Sequence, residues 1–166
     1  MGHGPQIRSA FQDSSKTYCY DEVFKPLKEI ISSVDFAVAN LEVTLAGKPY
    51  DGYPQFSSPD NLAVACKQNG LDVLVTANNH SCDRGNQGVI RTVKVLDSLG
   101  IKHTGTFSNQ NFRDSLNLLI LENKGIKVGL LNYTYGTNNM PFSSPAYVNL
   151  LDSSLIKSDV VKAKSK

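Results

Sequence analysis

The sequence contains no run of eighteen or so apolar residues, so none of its segments reads as a helix crossing a membrane. No cluster of lysine and arginine stands out along the chain. Its 17 basic and 15 acidic residues leave a formal charge of +2, which excludes the basic footprint of a nucleic-acid-binding domain. The nearest approach to a cluster, Lys157, Lys162, Lys164 and Lys166, reads as a solvated helix end. Three cysteines, Cys19, Cys66 and Cys82, form no CxxC pair and cannot all be bridged, so they read as ordinary reduced or buried thiols. The opening Met1-Gly2-His3-Gly4-Pro5 is neither a basic n-region nor an apolar h-region, and no targeting signal is read in this chain. Gly-x-Ser-x-Gly, a Walker phosphate loop and a dinucleotide glycine fingerprint are all missing, which removes the commonest serine-hydrolase and nucleotide readings. There is no internal repeat and no low-complexity segment.

What is present is an ordinary globular composition. Hydrophobic residues make up 40% and charged residues 19% of 166 positions, enough for one domain with a real core. Asp21 to Ser33 predicts a helical region with Val23, Phe24, Leu27, Ile30 and Ile31 on one side, its regular helix beginning at Asp21 or only at Pro26, which would then stand in the first turn. Asp35 to Asn40 predicts a buried strand of a parallel sheet. Residues 46 to 59, heavy in Gly, Pro and Ser, predict a loop, and Asn61 to Gln68 a short helix stopped by Gly70. Leu71 to Thr76 predicts a second buried strand, followed at once by the polar turn Ala77 to Ser81. Gly85 to Leu99 predicts the best helix, with Val89, Val93 and Leu96 on one face and Val95 off it. Ile101 to Thr104 reads as a short strand. Leu116 to Glu122 and Ile126 to Tyr133 read as a hairpin around Asn123-Lys124-Gly125. Thr137 to Pro145 reads as loop, and a last helix starts near Asp152 or Ser153. Alternating helices and strands followed by a hairpin give an α/β or α+β layered sheet.

Ligands of open α/β sheets bind at the carboxyl ends of the strands. Here those ends carry Asn40-Leu41-Glu42 and Thr76-Ala77-Asn78-Asn79-His80. If the strands are neighbours, Glu42, Asn79 and His80 are expected in one crevice. A carboxylate, an amide oxygen and an imidazole suit a divalent metal such as Mn, Fe or Zn, while asparagines at such places also serve as plain turn formers. His3 either reaches the site from the chain start or, the preferred reading, is a disordered terminal residue, and His103 reads as structural or exposed. Tyr133, Thr134 and Tyr135 end a strand and either line the crevice or pack, and Tyr50, Tyr53 and Phe56 lie in the loop before it.

Asn40-Leu41-Glu42, the stretch Leu71 to Gly85 with Asn78-Asn79-His80 and Asp83, then Thr92, Leu96, Gly100 and Gly105, resemble the central motifs of the poly-γ-glutamate capsule synthesis (CapA-type) family. That resemblance implies a layered α/β sheet sandwich similar to the calcineurin-like metallophosphoesterases. It implies Glu42 and Asn79 as metal ligands and His80 as the residue that steers the substrate or protonates the leaving group. Asn40 and Asn78 are implied as supports behind the ligands, and Asp83, with Arg84, either as a further support or as the simple beginning of the next helix. The family pattern also has a Gly-Asp pair upstream and later histidines, in a His-Trp-Gly segment and a Gly-His-x-His-like segment. This sequence has no tryptophan, and its histidines are His3, His80 and His103 alone. The resemblance therefore implies a single partial domain over residues 1–166, cut at both ends of the metal site and inactive as it stands. It further implies a parent enzyme at the bacterial cell surface, exported or membrane-associated, acting on an anionic polymer or a phosphoester with divalent metal. The alternative is a non-catalytic polymer-binding or membrane-complex subunit. Open sheet edges are expected to let copies of the chain associate.

Overall fold

The computed structural model describes residues 2–166. In chain order the elements are α1 (Gly4–Ala10), a hairpin of β1 (Phe11–Gln12) and β2 (Thr17–Tyr18), α2 (Asp21–Phe24), a 3-10 turn (Lys25–Leu27) and α3 (Lys28–Ser32). Then come β3 (Val38–Asn40), α4 (Asn61–Gln68), β4 (Val73–Val75), α5 (Gly85–Ser98), β5 (Lys102–Thr104), β6 (Thr106–Phe107) and α6 (Gln110–Leu116). The chain finishes with β7 (Leu119–Asn123), β8 (Ile126–Leu130), β9 (Tyr147–Val148) and α7 (Ser153–Lys164). This is the mixed, layered α/β class that the sequence predicts.

Its centre is a parallel sheet in the order β3-β4-β5, with Ala39 opposite Leu74 and Leu74 opposite His103. A parallel neighbour needs a crossover, and α4 and α5 supply the two. β4 is the middle strand, and its Val73 and Leu74 are fully buried. Leu62, Ala63 and Cys66 of α4 and Leu96 of α5 close over it with Leu41, Val43 and Leu45 from the segment after β3. A second cluster, Cys82, Val89, Ala146 and Val148, joins α5 to the β6-β9 pair. Thr92 fixes the approach of α5, accepting from the Leu45 N–H at 2.9 Å while its hydroxyl donates to the Gly88 carbonyl at 2.8 Å. Val95, off the predicted stripe, still packs partly against the first cluster.

Several expectations need correction. The predicted buried strand 35–40 is shorter and lies at the sheet edge. β3 pairs only with β4 among the described residues, and Val38 is 43% exposed. The helical region 21–33 is broken into two short helices around the Pro26 turn, because proline removes an N–H and clashes with the preceding turn. Its apolar side is not wholly inward: Phe24 is buried, whereas Val23, Leu27 and Ile30 are exposed. Leu116 ends a helix, α6, rather than starting a strand. The hairpin that follows is right in kind, with Asn123 opposite Ile126. Its turn places Lys124 and Gly125 at φ 52° and 78°, the left-handed pair of a two-residue type I′ connection. His3 is ordered, accepting a place at the start of α1, where its N–H donates to Gln6 Oε1 at 3.2 Å.

α7 is locked to α6 by a buried polar knot. Asp159 accepts from the Arg113 guanidinium, from Asn117 Nδ2 at 2.8 Å and from the Tyr133 hydroxyl at 2.6 Å. Arg113 Nε also donates to Asn149 Oδ1 at 3.2 Å. Tyr133 thus serves the knot and not the crevice, while Tyr135 is exposed. His103 is structural, its Nε2 lying 3.0 Å from Asp97 Oδ1.

Burial pushes the phenols of Tyr20 and Tyr133 up to about 12, and the hydrogen bond to Asp159 adds to the rise at Tyr133. A folded-state value above the unfolded 10.0 means that the folded chain holds these protons more tightly. Stability from this source is full below the unfolded value and is lost as pH rises through the folded one. The urea midpoint is therefore expected to fall steeply between pH values of about 10 and 12. The Tyr133→Phe variant should show a shallower fall, and an unchanged slope would contradict the assignment.

Candidate functional site

β3 and β4 are neighbours, so their carboxyl ends lie side by side, and the turn 77–84 rises directly from β4. The sequence builds this turn locally. Asn78 forms an Asx-turn, its Oδ1 accepting from the His80 N–H at 3.0 Å. Asn78 Nδ2 reaches back across the strand ends to the Leu41 carbonyl at 2.9 Å and to Asn40 Oδ1 at 3.1 Å. Ser81 Oγ accepts from the Asn78 N–H at 2.9 Å and sits 2.8 Å from the Thr76 carbonyl. Asn40 and Asn78 are thus committed to joining the two strand ends. On the far side, Asn132 clasps Ala77, accepting from its N–H at 2.6 Å and donating to its carbonyl at 3.2 Å. Gly105 makes room for this clasp: a Cβ there would lie 2.1 Å from Asn132 Oδ1, and its φ of +113° suits glycine.

His80 and Asp83 form the site's best-defined pair. His80 Nδ1 lies 2.8 Å from Asp83 Oδ2, with the side chains 11% and 1% exposed. Asp83 Oδ2 also accepts from the Phe56 N–H at 2.7 Å. A carboxylate that accepts from both sides fixes the proton on Nδ1, leaving Nε2 of the neutral ring with its lone pair. The Phe56 ring meets the imidazole edge to face at 4.7 Å between centroids, and His3 meets Phe56 in the same manner at 5.1 Å. His80 is thereby oriented by a buried carboxylate, an aromatic wall and its own turn.

The predicted residues occupy two adjoining hollows. Glu42 and Asn40 line one of about 520 Å³ with His3 and His80. Asn79 lines the other, of about 410 Å³, with Tyr53, His80, Asp83 and Asn138. His80 and Tyr53 border both hollows and link the side of Glu42 to that of Asn79. Asp83 supports the histidine rather than merely opening α5, which begins at Gly85.

The sequence reading missed Asn138. Its Nδ2 stands 3.4 Å from His80 Nε2, and its Oδ1 accepts from Asn79 Nδ2 at 3.4 Å. Asn138 and Asn139 both have positive φ, 51° and 60°, which asparagine tolerates better than most residues. An Asn-Asn pair inside a long loop was the available signal.

The donors do not fit a two-metal centre by themselves. Glu42, Asn79 and His80 offer one carboxylate, one amide oxygen and one imidazole nitrogen, and Asp83 occupies the second nitrogen of His80. No group of three or more His, Cys, Asp or Glu is arranged to hold an ion among the described residues. Two divalent ions held against water need more anionic or imidazole ligands than this. Among the described residues no helix is long and apolar enough to cross a membrane.

The chain is similar to "Capsule biosynthesis protein CapA" of Bacillus anthracis, 26% identical over 123 residues, covering 70% of this chain and 29% of that protein. It is also similar to two uncharacterized proteins of Sinorhizobium fredii (strain NBRC 101917 / NGR234), y4sH and y4uA. Each is 29% identical over 90 residues, covering 49% of this chain and 20% of the relative. The chain thus spans less than a third of the length of the curated relatives it matches. The match to the family described as "Bacterial capsule synthesis protein PGA_cap" runs over residues 1–165, and the chain belongs to that capsule synthesis family.

Proposed function

We propose that the crevice at the ends of β3 and β4 is part of a hydrolase-like site of a capsule-synthesis protein at the bacterial cell surface, with His80 as its proton-handling residue. The carrying observation is the His80–Asp83 pair, a buried carboxylate 2.8 Å from an imidazole whose other nitrogen borders an open hollow. With the Nδ1 proton held by Asp83, Nε2 can accept a proton from an attacking group or, once protonated, give one to a leaving oxygen or nitrogen. Asp83 stabilises the imidazolium that forms and keeps the ring from turning. Asn138 and Asn79 flank the place where the reacting group would sit. The substrate class is an anionic polymer or a phosphoester, and the reaction a hydrolysis or transfer at a phosphoester or amide centre.

A divalent ion, Mn, Fe or Zn, belongs to this reading as a ligand of the longer protein, with Glu42 and Asn79 among its donors. By itself the chain of residues 1–166 is expected to be inactive. The test uses the full-length protein with manganese and an activated phosphodiester. His80→Gln is expected to lower kcat by about 10²- to 10⁴-fold, the usual range for losing a general acid or base. Turnover unchanged by that substitution would sink the assignment.

The shortage of metal donors favours a second reading, a polymer-binding subunit that keeps the fold without the chemistry. It predicts that the full-length protein turns over no such ester with any of the three metals.

A further inference from the structure

We propose that the hollow between α1, the β1-β2 hairpin and the loop 48–50 is a docking site for a proline-rich peptide segment of a partner protein, with a carboxylate beside its prolines. The hollow has a volume of about 820 Å³, and its walls include Arg8, Phe11, Tyr18, Lys48, Pro49 and Tyr50. None of these residues lines the two hollows around His80. The docking site is therefore separate from the crevice and does not depend on catalysis there.

Three aromatic rings stand in a row there. Phe11 and Tyr18 are direct cross-strand partners, with ring centroids 5.2 Å apart and planes inclined by 58°. Tyr18 in turn meets Tyr50 of the loop at 5.3 Å and 88°. The Phe11–Tyr18 pair steadies the hairpin, yet Phe11 remains 37% exposed. A ribbon of two residues per strand gains little from rings left in water, so a ligand explains the row better than the fold does.

The inclination of the rings selects the ligand. Planes set at 58° and 88° leave two V-shaped slots and no parallel pair, so a flat base is not sandwiched between them. A puckered pyrrolidine ring fits such a slot, and aromatic-lined grooves are the usual receptors of proline-rich segments. A polyproline II helix rises only about 3.1 Å per residue, so one short segment brings prolines to both slots. It also leaves its carbonyls free, and the phenols of Tyr18 and Tyr50 can donate to them. A sugar fits less well, because no Asp, Glu, Asn or Gln side chain lines the hollow to meet its hydroxyls. The charge adds direction. Arg8 and Lys48 are exposed cations on a wall without a carboxylate, so an acidic residue next to the prolines completes the match.

A fluorescein-labelled peptide of three Pro-Pro-Glu repeats, titrated with this chain and followed by anisotropy, tests the proposal. Wild type should bind it. A peptide of three Ala-Ala-Glu repeats, equal in length and charge, should bind at least about tenfold more weakly, because nothing then fills the slots. Phe11→Ala should weaken binding of the proline peptide about tenfold, as removal of an aromatic anchor does. Lys48→Glu, at an exposed position, should weaken it too and reduce its salt dependence. Both variants are checked by circular dichroism, and if Phe11→Ala unfolds, the Lys48→Glu variant and the two peptides decide. His80→Gln should bind as wild type does, which separates this site from the catalytic one. The proposal is overturned if the proline peptide does not bind, if the alanine peptide binds as tightly, or if the folded variants bind as wild type does. It is also overturned if light scattering shows a dimer that Phe11→Ala reduces to a monomer, which would make a second copy the occupant, or if maltohexaose at equal concentration displaces the peptide.

Discussion

Replacing Asp159 with alanine is expected to destabilise the fold by about 4 kcal/mol, the range seen when one partner of a buried ion pair is removed. Asp159 is 6% exposed and Arg113 is equally buried at 6%. Without the carboxylate, the Arg113 guanidinium stays in the interior with Asn149 Oδ1 as its hydrogen-bond acceptor and Asp114 Oδ1 no nearer than 3.9 Å, and Asn117 Nδ2 and the Tyr133 hydroxyl lose the same acceptor. For a chain of this size the loss corresponds to a melting temperature lower by about 10 °C. Asp152→Ala, on the same helix, is the comparison. Asp152 caps α7 by accepting from the Leu155 N–H at 2.8 Å, and its loss should cost only about 1 kcal/mol. Replacing both Arg113 and Asp159 by apolar residues of similar volume should recover most of the stability, since the charge and its partner then leave together. Equal melting temperatures for Asp159→Ala and Asp152→Ala would show that the knot does not hold α7.

The second large effect is expected at Asp83. Asp83→Ala leaves the Phe56 N–H and the His80 Nδ1–H without acceptors in a buried setting. Each unsatisfied donor costs about 1–3 kcal/mol, so a loss of about 3 kcal/mol is expected in urea unfolding. Asp83→Asn is the sharper test of role. Its side-chain oxygen can still accept from Phe56, so stability should suffer less, but the charge that favours the imidazolium is gone. In the full-length protein this variant should lower kcat with little change in KM, because it acts on the proton-transfer step rather than on substrate binding. A rise in KM with unchanged kcat would instead make Asp83 a purely structural support.

Both effects show where sequence reasoning reached its limit. The central sheet was legible because its strands are short apolar runs bounded by turn residues, and α4 and α5 because each has an apolar face ended by a glycine. The turn Asn78-Asn79-His80 stood out because three polar residues directly after a buried strand demand an explanation. α1 was hidden by its Gly-His-Gly-Pro start, which reads as a breaker although proline is well placed in a first helical turn. β6 and β9 have two residues each, too few for any period. α6 was concealed because its one buried residue is Arg113, which inverts the usual apolar pattern. The Arg113–Asp159 pair and the Asn138 contact join residues far apart in sequence, and no local spacing reports such a meeting. The exposed side of β3 was misread because a short apolar strand looks the same whether it lies at the centre or at the edge of a sheet.

On the proposed reading, the crevice is one part of a metal-dependent site to which residues 1–166 contribute Glu42, Asn79 and His80. The most direct test is a calorimetric titration of residues 1–166 with manganese and with zinc. Weak binding or none is expected, with any residual heat diminished by Glu42→Gln. Sub-micromolar binding of either metal would contradict it.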